Sequence, residues 1–108
     1  MVVPCYNEES RFPLAYWTEI LEKTQATWYF IDDGSSDDTL NILNKLVSKN
    51  VFTVSLPNNS GKSEAIRQGF LEAIKKNHSE ISTIGYIDSD GAFNLEDIQF
   101  LIELARIE

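Results

Sequence analysis

The sequence is poor in several features that particular classes of protein require. A single cysteine among 108 residues excludes an internal disulfide framework. Nine basic residues stand against 17 acidic ones, and the formal net charge of -8 disfavours nucleic-acid partners, whose phosphates need positive charge. No apolar run approaches the ~20 residues that cross a bilayer, and the amino terminus has no basic, apolar leader. These absences predict a cytoplasmic protein.

The length allows one domain, over 1–108, and hydrophobic periodicity indicates its organisation. Short, nearly continuous apolar runs are typical of strands buried on both faces, and they alternate with longer stretches of 3.6-residue period. Strands are predicted over 1–3, 28–31, 51–56 and 83–87. Helices are predicted over 11–23, 38–48, 61–76 and 95–106, with Ser10 and Asn94 as caps of the first and last.

This alternation predicts an α/β fold, an open and mainly parallel sheet of the Rossmann-like kind with helices on both faces. The first apolar run has only three residues before its polar end, which is shorter than a usual strand. We therefore expect a chain that is truncated at both ends. Unpaired strand edges and apolar surface at those ends predict self-association.

Polar residues follow each predicted strand, at the edge where open parallel sheets bind ligands. Asp88 and Asp90, one residue apart, are suited to hold one hard cation such as Mg²⁺ or Mn²⁺, which favours oxygen ligands. The alternative is that Asp88-Ser89-Asp90-Gly91 is an ordinary turn, for which these residue types are also typical.

Two adjacent acids, Asp32 and Asp33, end the second predicted strand and repel each other unless donors satisfy them. A nucleotide base and ribose would supply such donors, and we favour this role for Asp33. The alternative is acceptance of turn amides or helix capping, which we favour for Asp37 and Asp38.

Two other motifs give weaker signals. Ser60-Gly61-Lys62-Ser63 resembles part of a P-loop, but Leu56 stands where the first glycine would be, so Lys62 is better read as part of an anion site at a helix start. Cys5 has only His78 as a base, far along the chain, which favours a packing role for the thiol over nucleophilic catalysis.

Four segments with polar or glycine-containing ends follow one another along the chain. They are Val3-Pro4-Cys5-Tyr6-Asn7-Glu8, Ile31-Asp32-Asp33-Gly34-Ser35-Ser36-Asp37-Asp38-Thr39, Asn59-Ser60-Gly61-Lys62 and Asp88-Ser89-Asp90-Gly91. In this order they resemble the family 2 glycosyltransferases, particularly the dolichyl-phosphate glucosyl- and mannosyltransferase type. The resemblance extends from Val2 to about Leu104. It implies the nucleotide-binding half of a GT-A domain and a metal-dependent transferase.

The resemblance also implies roles for individual residues. Pro4, Tyr6, Glu8 and Asp33 would line the base and ribose pocket, and Lys62 would lie near the nucleotide. Asp88 and Asp90 would hold the metal against the donor's diphosphate, although Ala92 replaces a further metal-binding side chain found in some relatives.

The partner it implies is a nucleotide-sugar donor, a UDP-sugar in preference to a GDP-sugar, with a lipid phosphate as acceptor. The acceptor half is absent, so we expect these 108 residues alone to bind donor without transferring sugar. A longer parent protein would act at the cytoplasmic face of a membrane.

Another class with this size and charge is the receiver-like phosphoacceptor module, a single acidic α/β domain that binds Mg²⁺. Such modules carry their paired acids after the first strand and a lysine after the last. Here the acids follow the second predicted strand, and no lysine follows Asp88. The pattern therefore favours the glycosyltransferase, with the receiver-like module as the alternative.

Overall fold

Three of the apolar runs form a parallel sheet in a computed structural model of the chain, which describes residues 1–77 and 83–107. The strands are β1 (Val2–Cys5), β2 (Trp28–Asp32) and β3 (Val51–Ser55), side by side in that order. Both pairings are parallel, with Phe30 of β2 opposite Val3 on one side and Thr53 on the other. Each strand begins and ends within two residues of its predicted bounds.

Helices cover both faces of this sheet. They are α1 (Leu14–Lys23), α2 (Thr39–Asn44), α3 (Lys62–Asn77) and α4 (Leu95–Ile107). Trp17, Leu43 and Ile98, from α1, α2 and α4, share one buried cluster, whereas α3 packs Ala65 and Ala73 into a second cluster. The predicted α/β sheet with helices on both faces is confirmed. None of the helices in the described part of the chain has both the length and the apolar character of a membrane span.

The predicted fourth strand, over 83–87, is reduced to one parallel bridge between Tyr86 and Val2 of β1. Val2 donates its N–H to the carbonyl of Gly85 at 2.9 Å and accepts the N–H of Ile87 at 3.0 Å. The next β1 residue on this side is Pro4, which has no N–H to donate. The ladder therefore stops after a single bridge.

Two helices are shorter than predicted. The first begins at Leu14 rather than at residue 11, because Pro13 disfavours helical geometry at the residue before it, and Ser10 is not its cap. The second ends at Asn44, and the chain then turns between Ser48 and Val51, whose backbone groups hydrogen-bond to each other. Asn94 does cap α4, because its Oδ1 accepts the N–H of Asp97 at 2.8 Å.

Candidate functional site

A cavity of about 730 Å³ opens at the carboxyl ends of the strands. Its lining includes every residue predicted from the sequence for ligand or metal binding, namely Pro4, Tyr6, Glu8, Asp33, Lys62, Asp88 and Asp90. The remaining lining residues are Cys5, Arg11, Asn59, Gly61, Ala65 and Ser89. Four separate stretches of the sequence thus meet at one place.

The cavity lies at the point where the order of the sheet changes direction. From β1, the chain continues through β2 to β3 on one side, and the segment 83–88 returns to the other side of β1. Such a switch point leaves a crevice beyond the strand ends, which is where open α/β sheets bind ligands. Because Pro4 ends the pairing with that segment, the sheet is open between Pro4 and Asp88, both of which line the cavity.

Asp33 is almost fully buried, and donors from the loop before α3 satisfy its carboxylate. Its Oδ1 accepts the backbone N–H and the hydroxyl of Ser60, both at 2.9 Å. Its Oδ2 accepts the N–H of Gly61 at 2.9 Å and the side-chain amide of Asn59 at 3.1 Å. Asp33 therefore accepts hydrogen bonds from backbone amides of a turn, which is the alternative role considered for these acids. These bonds fix the loop that carries Lys62. The amides that a P-loop would offer to phosphate are directed at Asp33 instead.

The loops after β1 and β2 are joined by reciprocal hydrogen bonds. Asn7, whose φ of 48° is unusual for a residue other than glycine, donates its N–H to Ser35 Oγ and accepts the N–H of Ser36, both at 2.9 Å. The N–H of Glu8 donates to Thr39 Oγ1 at 2.8 Å. These contacts fix the backbone that carries Tyr6 and Glu8 at the cavity.

Glu8 connects two sides of the cavity through its carboxylate. Its side chain is only 14% exposed. Its Oε2 accepts a hydrogen bond from Nε of Arg11 at 2.7 Å, and its Oε1 accepts one from the hydroxyl of Ser89 at 3.2 Å. Ser89 is itself buried between the two predicted metal ligands along the chain. The observed contacts of Glu8 are thus with protein groups, and they tie the first loop to the Asp88–Asp90 turn.

Asp88 and Lys62 form an ion pair at the cavity, with Nζ 2.5 Å from Oδ1. Hydrogen bonding to Asp88 raises the pKa of Lys62, and the negative charges of Asp88 and Asp90 add to this effect. Both side chains remain about half exposed, so a ligand in the cavity can reach them.

The turn that carries Asp90 is anchored to α1. Trp17 donates its indole N–H to the carbonyl of Ser89 at 2.9 Å, and the hydroxyl of Tyr16 donates to the carbonyl of Phe93. Gly91 takes a positive φ of 78°. Asp90 is exposed, and its Oδ1 accepts the N–H of Ala92 at 3.0 Å.

The donor set at this turn fits a hard divalent cation. No three His, Cys, Asp or Glu side chains are grouped as a metal site within 1–77 and 83–107. Two carboxylates at one cavity are nevertheless what Mg²⁺ commonly takes from a protein, because substrate phosphates and water complete its coordination. Asp88 and Asp90 have that chemistry, and both line the cavity.

The thiol of Cys5 is buried, and burial raises its pKa, with a further contribution from the charges of Glu8 and Asp32. Its Sγ lies 3.6 Å from the carbonyl oxygen of Val3. A thiol that stays protonated is a poor nucleophile, in agreement with a packing role. His78 lies outside the described residues.

Six of the lining residues were not among the predicted site residues, and two of these six, Arg11 and Ser89, contact the carboxylate of Glu8. Arg11 stands three residues after Glu8, at a spacing that suits an ion pair in a turn of helix. Ser89 lies between the two predicted metal ligands. Its burial, which the sequence does not show, is what places it at the site. The first could have been found from charge spacing, and the second only from the fold.

An open parallel sheet with a polar cavity at its switch point is typical of α/β enzymes that bind ligands beyond their strand ends. The family model described as glycosyl transferase family 2 matches residues 1–107. The chain belongs to this family. Between the glycosyltransferase and the receiver-like module considered from the sequence, the match thus favours the glycosyltransferase.

The relatives with curated names are similar over nearly the whole of this chain. A dolichyl-phosphate beta-glucosyltransferase of Trichomonas vaginalis is 32% identical over 93% of the chain and 32% of its own length, and the human enzyme of that name is 33% identical over 94% and 33%. A prophage bactoprenol glucosyl transferase homolog of Escherichia coli is 35% identical over 95% and 34%. The chain therefore spans about a third of the length of these relatives. No solved structure matches it.

Proposed function

We propose that this chain binds a nucleoside diphosphate sugar in the cavity at the switch point. Within a longer glycosyltransferase it would present that sugar to a polyprenyl phosphate. The observation that carries the proposal is the convergence of all seven predicted residues on one cavity. The names of the relatives, which are dolichyl-phosphate and bactoprenol glucosyltransferases, support the choice of acceptor.

The residues of the cavity divide between the parts of such a donor. Pro4 and the half-exposed ring of Tyr6 offer an apolar wall for the base, and Asp33 and Glu8 hold the loops that shape its pocket. Lys62, at the start of α3, is suited to a phosphate because a helix amino terminus and a cation both favour negative charge. A UDP-sugar is our preferred donor over a GDP-sugar, by family resemblance.

A divalent cation, Mg²⁺ or Mn²⁺, completes the proposed site at Asp88 and Asp90. Four carboxylates and two cationic side chains line the cavity, so its net charge is negative before a donor arrives. A diphosphate is also negative, and its binding there is favoured by a cation that neutralises both. When bound, the ion would stabilise the charge that develops on the departing nucleoside diphosphate.

Calorimetric titration with UDP-glucose and with GDP-mannose, each with and without Mn²⁺, tests the proposal. We expect metal-dependent binding of UDP-glucose, weaker binding of GDP-mannose, and loss of the metal-dependent part in Asp90→Asn. That variant keeps an oxygen for the Ala92 N–H but removes the charge. Glu96→Gln, which removes an exposed acid from the first turn of α4, is the matched control. Absence of binding to either donor by a protein that melts cooperatively would contradict the proposal.

The 108 residues alone should bind donor without transferring sugar, because they span about a third of the relatives that carry out the transfer. A radiolabelled UDP-glucose assay with a short-chain polyprenyl phosphate checks this expectation. Formation of the lipid-linked sugar by this chain alone would show that the acceptor site lies within it.

Self-association is also proposed, with a second copy as the partner. The outer surface of α4 exposes Phe100, Leu101 and Leu104, and β3 has no strand on its outer side within the described residues. Apolar surface and an open strand edge both favour pairing. Sedimentation velocity over a range of concentrations tests this, and a monomer at the highest concentration would contradict it.

A further inference from the structure

Arg11 is the cavity residue whose position has no explanation in the roles given above. It lines the cavity, and its side chain is 70% exposed, although it forms a short ion pair with Glu8. Only the Glu8 end of this pair is enclosed, and the guanidinium of Arg11 remains largely in contact with solvent. Arg11 therefore keeps an exposed cationic group at the cavity.

The guanidinium is held in a fixed orientation. Its Nε and Nη2 groups donate to the two carboxylate oxygens of Glu8, at 2.7 and 3.4 Å. Glu8 is fixed in turn by Ser89 at its side chain and by Thr39 at its backbone. Arg11 is thus oriented by protein groups before any ligand is present.

This arrangement leaves donors for an anion. A guanidinium carries five N–H groups, and those not directed at Glu8 have no acceptor among the described residues. The other cation of the cavity, Lys62, is engaged by Asp88. Planar guanidinium groups bind phosphate oxygens with paired hydrogen bonds, which an ammonium does not.

We propose that Arg11 binds a phosphate oxygen in the cavity and positions the phosphate beside the Asp88–Asp90 turn. The inference rests on the proposed function, because the phosphate is either that of the donor diphosphate or that of the lipid acceptor. The contact from Glu8 to Ser89 puts Arg11 on the side of the cavity formed by that turn.

The test compares Arg11→Gln with wild type in the presence of Mg²⁺. Probes are UDP against uridine for the donor phosphate, and farnesyl phosphate against farnesol for the acceptor phosphate. We expect one phosphate probe to bind about tenfold more weakly, as for loss of a charge-assisted hydrogen bond, with the matching probe without phosphate unchanged. Arg11→Lys should recover part of the loss. The weakened probe identifies the source of the phosphate.

Arg106→Gln is the matched control. Arg106 also pairs with a glutamate three residues earlier, Glu103, at 3.3 Å, and its Nη2 donates to the carbonyl of Gln25 at 2.7 Å. It lines a different cavity, together with Met1 and Thr27 at the amino ends of the strands. The Arg106→Gln variant should bind UDP, uridine, farnesyl phosphate and farnesol with the same affinities as wild type.

Equal affinities in Arg11→Gln and wild type for both phosphate probes would overturn the proposal. Equal weakening of a phosphate probe and its partner would also overturn it, since a merely structural role has that effect. Wild-type protein that binds neither UDP nor UDP-glucose would contradict the proposed function, and the farnesyl phosphate comparison would then decide the role of Arg11.

Discussion

Replacement of Asp33 by asparagine separates a role in holding the site together from a role in touching the ligand. The side chain is 3% exposed and accepts hydrogen bonds from three successive residues, Asn59, Ser60 and Gly61. Asparagine has the same shape but replaces one carboxylate oxygen by an NH₂ group, which can only donate. Asp33→Asn therefore tests the acceptor chemistry without a change in volume.

The cost follows from the donors that face each oxygen. If the amide oxygen takes the Oδ1 position, Ser60 keeps its contacts, and the new NH₂ faces the N–H of Gly61, which cannot accept. Asn59 could rotate its amide to accept, but its NH₂ would then leave the carbonyl of Asp33, to which it now donates at 3.2 Å. One buried donor without a partner and the loss of bonds to a charged acceptor together cost ~2–4 kcal/mol.

Thermal unfolding measures this change directly. A loss of this size lowers the melting temperature by roughly 10–25 °C in a domain of about this size. Asp38→Asn is the control, because Asp38 is exposed and its side chain contacts Asn41 of the same turn. It should melt within about 3 °C of wild type. An Asp33→Asn protein that melts like wild type but no longer binds UDP-glucose would refute the reasoning, because Asp33 would then act on the ligand alone.

Two further predictions concern the backbone of the site and its buried thiol. Gly34→Ala should destabilise the protein by more than ~2 kcal/mol in urea unfolding, because φ is +66° and the new Cβ would lie 2.3 Å from the carbonyl carbon of Asn58. Gly61 has a φ of +97° and open space around a new Cβ, so Gly61→Ala should cost only the backbone strain of ~1–2 kcal/mol. Equal losses of stability in the two variants would contradict the predicted clash at Gly34. Burial raises the pKa of Cys5 above its ordinary 9.0, so folding favours the protonated thiol and stability should fall as the pH rises above 9.0. The free energy of unfolding should fall by up to ~1.4 kcal/mol per pH unit in this range, and by less in Cys5→Ala. Identical pH dependence in the two proteins would count against the raised pKa of Cys5.

Much of the fold was predictable because burial leaves a direct trace in the sequence. The run Trp28–Ile31 is apolar at every position, as a central strand covered on both faces must be, and it forms β2 with every residue buried. Asn94 as a helix cap was equally direct. Both features show in the types of a few consecutive residues.

The error at the predicted fourth strand arose because strand pairing depends on a partner distant in sequence. An apolar run over 83–87 predicts a strand, but its pairing depends on the strand beside it. Pro4 lies on that side of β1 and has no N–H, so only one bridge forms. The predicted start of α1 was wrong for a local reason, because Pro13 restricts the backbone of the adjacent Phe12 and the helix begins after it.

The candidate site shows a related limit. Strand ends predicted that the polar segments meet at one edge of the sheet, because parallel strands end at a common edge, and the family resemblance singled out seven residues that line the cavity there. They did not show which side chains remain available to a ligand. Asp33 was expected to need donors from a nucleotide, and the loop at 59–61 supplies donors instead. Ser89 was passed over because its contact with Glu8 joins residues 81 positions apart.

Burial divides the acidic and basic residues of the cavity into two groups with different consequences. Asp33 and Glu8 are enclosed and engaged by protein donors, so substitutions there should disturb loops and affect every ligand alike. Arg11, Lys62 and Asp88 are each about half exposed or more, and each keeps a charged group at the cavity. The first group keeps the loops in place while the second presents charge to the ligand, and for this reason ligand-dependent effects of mutation should concentrate in the exposed group.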